Sequence, residues 1–234
     1  MLSKLRIQLF EKHNKRQIIT LIILSFFLFS LEIHSQTNEK LKAISIDKKD
    51  ISTVPLDSTL KETSSLYYDN RLLWSNNDDK DNRLYGINLN TGSIEQIVEF
   101  NKLKVVDWEE TQQDSLYYFL GDFGNNGKGN RQNLMFFKIR KSDLTIDTIQ
   151  FHYPEQTDFS IQKSNRTNFD CEAFIIHDSN IYLFTKEWKS TQTSLYKIPT
   201  TPGKHVAQKM GSLNVRGLIT GATINPDKTK IILS

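Results

Sequence analysis

The chain has 234 residues, of which 30 are Lys or Arg and 27 are Asp or Glu, for a formal net charge of +3. Residues 1–35 hold five basic and two acidic groups, so the remainder carries 25 of each and is formally neutral, which excludes nucleic acid as the expected partner. Cys171 is the only cysteine, so an intramolecular disulfide is excluded and we expect a small, buried, apolar side chain at this position.

The first 35 residues are typical of a secretory signal peptide. Five basic residues precede a 14-residue apolar run from Ile18 to Leu31, and Glu32 ends that run. The run is shorter than the roughly 18 to 20 residues that a membrane-spanning helix needs. We therefore predict cleavage near Ser35, a secreted, periplasmic or cell-surface location, a monomer, and no stable membrane span after cleavage.

Residues 36–59 form a polar lead-in, with one short apolar island at 43–46. From about residue 60 onwards, short runs of β-branched and aromatic residues alternate with Asn, Asp and Gly. No apolar period of 3.6 residues is sustained. The sequence predicts an all-β domain over residues 60–234.

Three segments of this domain share one layout: a turn, an aromatic strand, a polar loop, a second aromatic strand and an outer strand, which in the third segment is placed at 205–213. An acidic segment before each turn supplies a fourth strand, around Glu62, Asp107–Glu110 and Asp170–Ala173. Repeats of four antiparallel strands predict a β-propeller. We place its blades at about 60–101, 105–153 and 168–213, with a partial blade at 215–234.

The partial blade predicts a propeller that is incomplete or truncated at its C-terminus. Two explanations stay open at this point. Either part of the propeller is missing from the sequence, or residues 43–54 complete the last blade by pairing with it.

Polar residues cluster at the starts of the predicted inner strands and in loops that share one face. Glu109 and Glu172 occupy matching places in two repeats, and with Glu62 they would point towards a common funnel. Facing carboxylates either bind a divalent cation such as calcium or share protons with raised pKa values. Alternatively, each carboxylate caps a turn of its own blade. The candidate ligand-binding residues are Asp107, Glu109, Asp122, Asn125, Asn126, Asp170, Glu172 and Lys186, with Glu109 and Glu172 as the metal ligands.

The loop 121–131 has four glycines and three asparagines, together with Lys128 and Arg131. Such a loop either brings its backbone close to a ligand or forms a long exposed hairpin connection. Its glycine spacing does not match a P-loop, and the chain has no Gly-x-Ser-x-Gly nucleophile motif. No catalytic residue is predicted. Three tryptophans, Trp74, Trp108 and Trp188, are expected to pack in the core or at the funnel rim.

Five motifs carry a family resemblance: Asp107-Trp108-Glu109, the Gly121–Asn126 segment, Phe169–Ala173, Leu183–Lys186 and Gly217–Ala222. Together they resemble an uncharacterised group of secreted bacterial β-propeller proteins, which often end in a type IX secretion sorting domain. The Phe-Asp-x-Glu-Ala segment is also distantly similar to an inner strand of esterase-like phytase propellers. This resemblance implies export and a propeller fold.

Three functions are compatible with these features. The first is an exported binding or interaction module with an acidic axial site. The second is a metal-assisted hydrolase of phosphoesters or similar substrates, in which Lys186 or Arg131 stabilises developing negative charge. The third is a structural domain of the cell surface. The absence of an identifiable nucleophile favours binding.

Overall fold

The computed structural model describes residues 47, 49, 51–78 and 81–234. The predicted signal peptide, most of the lead-in and the apolar island at 43–46 lie outside these residues. The chain divides into two units, 1–52 and 53–234, and the fold described below is that of the second. Within the described ranges, no helix has the length and apolarity needed to cross a membrane.

Fifteen strands make up the described part of this unit. In chain order they are β1 (Tyr67–Asp69), β2 (Leu72–Asn76), β3 (Arg83–Asn88), β4 (Ile94–Glu99), β5 (Trp108–Gln113), β6 (Tyr117–Asp122), β7 (Met135–Arg140), β8 (Ile146–His152), β9 (Asp170–His177), β10 (Asn180–Lys186), β11 (Thr193–Pro199), β12 (Gly203–Val206), β13 (Gln208–Leu213), β14 (Ala222–Ile224) and β15 (Ile231–Leu233).

These strands form separate sheets that follow one another along the chain. Blade 1 has the order β1-β2-β3-β4, blade 2 the order β5-β6-β7-β8 with β12 added at its outer edge, and blade 3 the order β9-β10-β11-β13. A two-stranded sheet of β14 and β15 follows. Strand β9 contacts both β5 and β14, so the first strands of successive sheets are neighbours. The described part of this unit is therefore all-β and built as a β-propeller, which confirms the predicted fold class.

Aromatic side chains fill the space between blades 2 and 3. The rings of Phe123, Phe136 and Phe174 are fully buried. Ring centroids lie 5.2 Å apart for Phe123 and Phe136 and 4.8 Å apart for Phe136 and Phe174, both with edge-to-face geometry. Each such pair contributes about 0.5–1.5 kcal/mol beyond the burial of its area. Because Phe123 directly follows β6, this cluster also anchors the loop that leads to Gly124.

Two segments differ from the predicted strands. The outer strand predicted at 205–213 is split, because β12 leaves blade 3 and pairs in parallel with β8 of blade 2, from Gly203 opposite Ile149 to Val206 opposite His152. The edge of β8 thereby gains partners for its backbone groups. Glu62 lies in no strand: it is exposed, at a bend with φ of 49°, and only its neighbour Thr63 forms a bridge, to Asn77.

Candidate functional site

Two glutamates stand at matching β-bulges in the first strands of blades 2 and 3. In blade 2, Trp108 pairs with Asp122 and Glu110 with Gly121, which leaves Glu109 as the additional residue. In blade 3, Cys171 pairs with Thr185 and Ala173 with Phe184, which leaves Glu172 as the additional residue. A bulge redirects the side chain of its extra residue and is frequent beside functional sites. The equivalence of Glu109 and Glu172 that the repeats indicated thus has a backbone counterpart.

Glu109 is a buried carboxyl group without a hydrogen-bond donor among the described residues. The residue is only 9% exposed. Burial is the largest cause that raises its pKa, and together with the negative charges of Asp107, Glu172, Asp170 and Asp78 it brings the pKa to about 9. At neutral pH the folded protein therefore keeps a proton on Glu109.

Gly124 faces the carboxylates of Glu109 and Asp107. A Cβ atom at position 124 would lie 2.2 Å from Glu109 Oε1 and 2.3 Å from Asp107 Oδ2. Both carboxylate oxygens therefore lie next to the same glycine and close to each other. The lack of a side chain at Gly124 is what makes room for the two acids.

Asp170 joins the loop of blade 2 to blade 3. Its Oδ1 accepts a hydrogen bond of 2.7 Å from the backbone N–H of Asn125, and its Oδ2 accepts one of 2.8 Å from Trp188 Nε1. Burial raises the pKa of Asp170 to about 6, while these two hydrogen bonds lower it. Both oxygens of Asp170 are thus engaged by N–H donors of the protein.

Glu172 is neutralised by a cation from its own blade. Its Oε1 accepts a hydrogen bond from Lys186 Nζ, and the two side chains are 13% and 12% exposed, respectively. The same ammonium group lies 4.6 Å from the centroid of the Trp188 ring. A carboxylate and an indole face therefore hold one ammonium group between them.

Asp122 serves as scaffold for the first acid of blade 2. Its carboxylate accepts hydrogen bonds from the backbone N–H groups of Val106, at 3.1 Å, and Asp107, at 2.9 Å. Arg131 pairs with Asp122 Oδ1 at 2.8 Å and also donates to the carbonyl oxygens of Asp122 and Gly124. Asp122 and Arg131 therefore fix the start of β5 and the following loop.

The two candidate asparagines also brace this loop. Asn125 Oδ1 accepts a hydrogen bond of 2.9 Å from the N–H of Arg131, and Asn125 Nδ2 donates one of 3.0 Å to the carbonyl of Phe169. The carbonyl oxygen of Asn126 accepts a hydrogen bond of 2.8 Å from the N–H of Asn165. The loop is tied to neighbouring segments through these bonds, and Asn125 is buried, so a long exposed hairpin does not describe it.

Blade 1 contributes no carboxylate at the position of Glu109. Ser64 follows the Thr63–Asn77 bridge as Glu109 follows the Trp108–Asp122 pair, so Ser64 is the matching residue. Its hydroxyl donates a 2.6 Å hydrogen bond to the carbonyl oxygen of Glu109. Glu62 is exposed and precedes this bridge, so it does not occupy the position that matches Glu109 and Glu172.

The four acids that lie together, Asp107, Glu109, Asp170 and Glu172, are called the acidic site below. In the part of the chain that the structure describes, no three His, Cys, Asp or Glu side chains are placed to ligate one metal ion. The acids approach one another closely enough to affect the Glu109 pKa, but their oxygens do not surround a common point.

Two further buried acids lie in polar segments of the sequence but are not among the candidate residues. Glu187 accepts hydrogen bonds from Thr185 Oγ1 at 3.1 Å, from Ser194 Oγ at 2.6 Å and from Ser190 Oγ. The density of hydroxyl residues around Glu187 was an available signal. Glu110 is 4% exposed, and burial raises its pKa well above the ordinary value. Its place beside Trp108 in a strand gave no comparable signal.

The tryptophans and the cysteine behave as packing residues. Trp74 and Trp108 are buried, at 6% and 2% exposure, and Trp188 is half-buried against Lys186. Cys171 is a free, fully buried thiol, which confirms the expectation from its lone occurrence. Burial raises its pKa.

No protein-family model and no curated protein matches this chain. Among solved structures, it is similar to a glutaminyl cyclase from Myxococcus xanthus, with 10% identity over 74% of this chain and 84% of the other and a TM-score of 0.33. A chain of a mitotic checkpoint complex shares 6% identity over 74% and 71%, with a TM-score of 0.34. BamB from Moraxella catarrhalis shares 8% over 72% and 65%, with a TM-score of 0.29. These similarities are too low to assign an activity.

Proposed function

We propose that this chain is an exported β-propeller binding module that takes a cation at the acidic site. One observation carries the proposal: the carboxyl group of Glu109 is buried beside three other acids and accepts no hydrogen bond from the described residues. Burial disfavours the charged form of this carboxyl group, and a bound cation would stabilise that form while replacing the proton. The predicted signal peptide in residues 1–35 supports export.

Hydrolysis of phosphoesters is the weaker alternative. The two cations that would stabilise a developing negative charge are already neutralised, Lys186 by Glu172 and Arg131 by Asp122. A site rich in carboxylates also repels an anionic substrate. Binding of an organic cation at Glu109 leaves both of these ion pairs intact.

Two kinds of cation are consistent with the proposal. A divalent ion such as calcium would take oxygen ligands from Glu109 and Glu172, as the sequence led us to expect. An organic cation would instead bring its own N–H donors to Glu109. Either cation would replace the proton on Glu109 and interact with the carboxylates of the acidic site.

Calorimetric titration of the full-length chain at pH 7, with calcium chloride and separately with n-butylammonium chloride, tests the proposal. We expect one of the two to bind, and Glu109→Gln to weaken that binding at least tenfold because a charge-assisted contact is lost. Glu62→Gln is the matched control, since this exposed glutamate lies in the corresponding region of blade 1, and it should leave binding unchanged.

Two results would contradict the proposal. The first is that neither cation binds, which would favour a structural domain of the cell surface. The second is metal-dependent hydrolysis of p-nitrophenyl phosphate that Glu172→Gln abolishes, which would favour the hydrolase.

A further inference from the structure

Blade 3 shows which kind of group pairs with the glutamate at a β-bulge. Glu172 holds the ammonium group of Lys186, and that group lies 4.6 Å from the centroid of the Trp188 ring. An ammonium ion offers three N–H donors and a compact positive charge, which a carboxylate and an aromatic face together recognise well. The partner of this glutamate is therefore a primary ammonium ion.

Blade 2 has the same glutamate without the lysine. In blade 3, Lys186 directly follows Thr185, which pairs with Cys171. In blade 2, Phe123 directly follows Asp122, which pairs with Trp108. Phe123 therefore occupies the position in blade 2 that Lys186 occupies in blade 3. The Phe123 ring is fully buried in the aromatic core. Blade 2 thus provides the carboxyl group of Glu109 but uses the matching position for packing.

The remaining acids leave few oxygens for a metal ion. Both oxygens of Asp170 accept N–H bonds, and Glu172 is paired with Lys186. Calcium requires six to eight oxygen ligands. The described acids do not place three side chains around one point. A single ammonium group asks for far fewer protein oxygens, because its three donors are satisfied by individual hydrogen bonds.

The surroundings of Glu109 favour a small cationic group that enters from the solvent side. Asp107, next to Glu109 at Gly124, is half-buried, and Asp78, whose charge also raises the Glu109 pKa, is exposed. With only 9% exposure, Glu109 can be reached by a group with the size of –NH₃⁺ more readily than by a bulky quaternary ammonium.

Building on the proposed cation site, we infer that its ligand is a molecule with a primary ammonium group, which takes at Glu109 the role that Lys186 has at Glu172. The inference rests on the proposed function and narrows the proposed cation to a primary ammonium group. Specificity then comes from hydrogen bonding to the carboxylate as well as from charge, so methylation of the amine should oppose binding.

The test compares four probes on the full-length chain at pH 7: n-butylammonium, n-butyltrimethylammonium, calcium chloride and 1-butanol. Binding is followed by NMR through the amide signals of Glu109 and Gly124. We expect n-butylammonium to shift these signals saturably, at least tenfold more tightly than the trimethylated probe, with no saturable shift from 1-butanol or calcium. Glu109→Gln should abolish the response, and Glu62→Gln should retain it.

The outcomes separate the two proposals. If calcium binds, n-butylammonium does not, and Glu109→Gln removes the calcium response, the ammonium inference is wrong and the cation site stands. If the trimethylated probe binds as tightly as n-butylammonium, hydrogen bonding by a primary ammonium is refuted in the same way. If no probe produces a saturable shift that depends on Glu109, both proposals fall.

Discussion

Replacing Glu109 by Gln should stabilise the protein, and by an amount that grows with pH. The pKa of this carboxyl group is raised from an ordinary value of 4.5 to about 9. Between these values the unfolded chain releases a proton that the folded chain retains. The free energy of unfolding therefore falls as pH rises, by about 1.4 kcal/mol per pH unit for this group, and the loss levels off above the folded pKa.

The magnitude follows from the width of this window. At pH 7 the retained proton costs the fold about 3 kcal/mol relative to a neutral side chain of the same size. Below about pH 4 both states are protonated, and the cost vanishes. Glu109→Gln removes the titration, so its advantage over the wild type should rise from near zero at pH 4 to about 3 kcal/mol at pH 7.

Urea unfolding followed by tryptophan fluorescence from pH 4 to pH 9, in the absence of added amine or calcium, measures this difference. Glu62→Gln is the control, because an exposed glutamate should change stability by no more than about 0.5 kcal/mol at any pH. The reasoning is refuted if Glu109→Gln destabilises the protein, or if its effect on the free energy of unfolding is the same at pH 4 and pH 8.

Three further predictions follow from the contacts around the acidic site. Asp170→Ala removes the acceptor of two N–H donors, including the Trp188 indole, and should lower the free energy of unfolding by about 2–4 kcal/mol in urea denaturation; a loss below about 0.5 kcal/mol would contradict the hydrogen bonds. Gly124→Ala should abolish amine binding in the NMR titration, because its Cβ would displace the two carboxylates, whereas Gly127→Ala, whose Cβ would meet no atom within 4 Å, should bind normally. Cys171 should react with a thiol reagent such as DTNB only upon unfolding, since it is fully buried; rapid modification of the folded protein would refute this placement.

The repeats made the fold predictable. Aromatic strands recur between turns rich in Asn and Asp, and alternating burial along a strand leaves a strong pattern in the sequence. The position of β12 could not be found in this way. Residues 205–213 were expected to form one outer strand, whereas β12 pairs with β8 of blade 2 and β13 pairs with β11 of blade 3.

The acidic site was predictable to the level of residue type and repeat position. The Asp-x-Glu spacing in 107–109 and 170–172 placed Glu109 and Glu172 together, but the acid at Glu62 was aligned with them by identity alone. Its matching neighbour in blade 1 is Ser64, which becomes clear only from the strand register.

The individual roles of the polar loop residues could not be predicted from the sequence either. Asp122 and Asn125 hold backbone groups, and Lys186 neutralises Glu172. Polar side chains near glycines are expected both in ligand sites and in loop scaffolds. Only the positions of their hydrogen-bond partners separate the two roles.

The most direct test of the central claim is the titration of the Glu109 carboxyl carbon by ¹³C NMR, with and without saturating n-butylammonium. We predict that Glu109 titrates far above the ordinary value of 4.5, and that the amine lowers this pKa because it stabilises the charged carboxylate. A Glu109 that titrates at its ordinary pKa, and whose titration the amine does not move, would contradict the account.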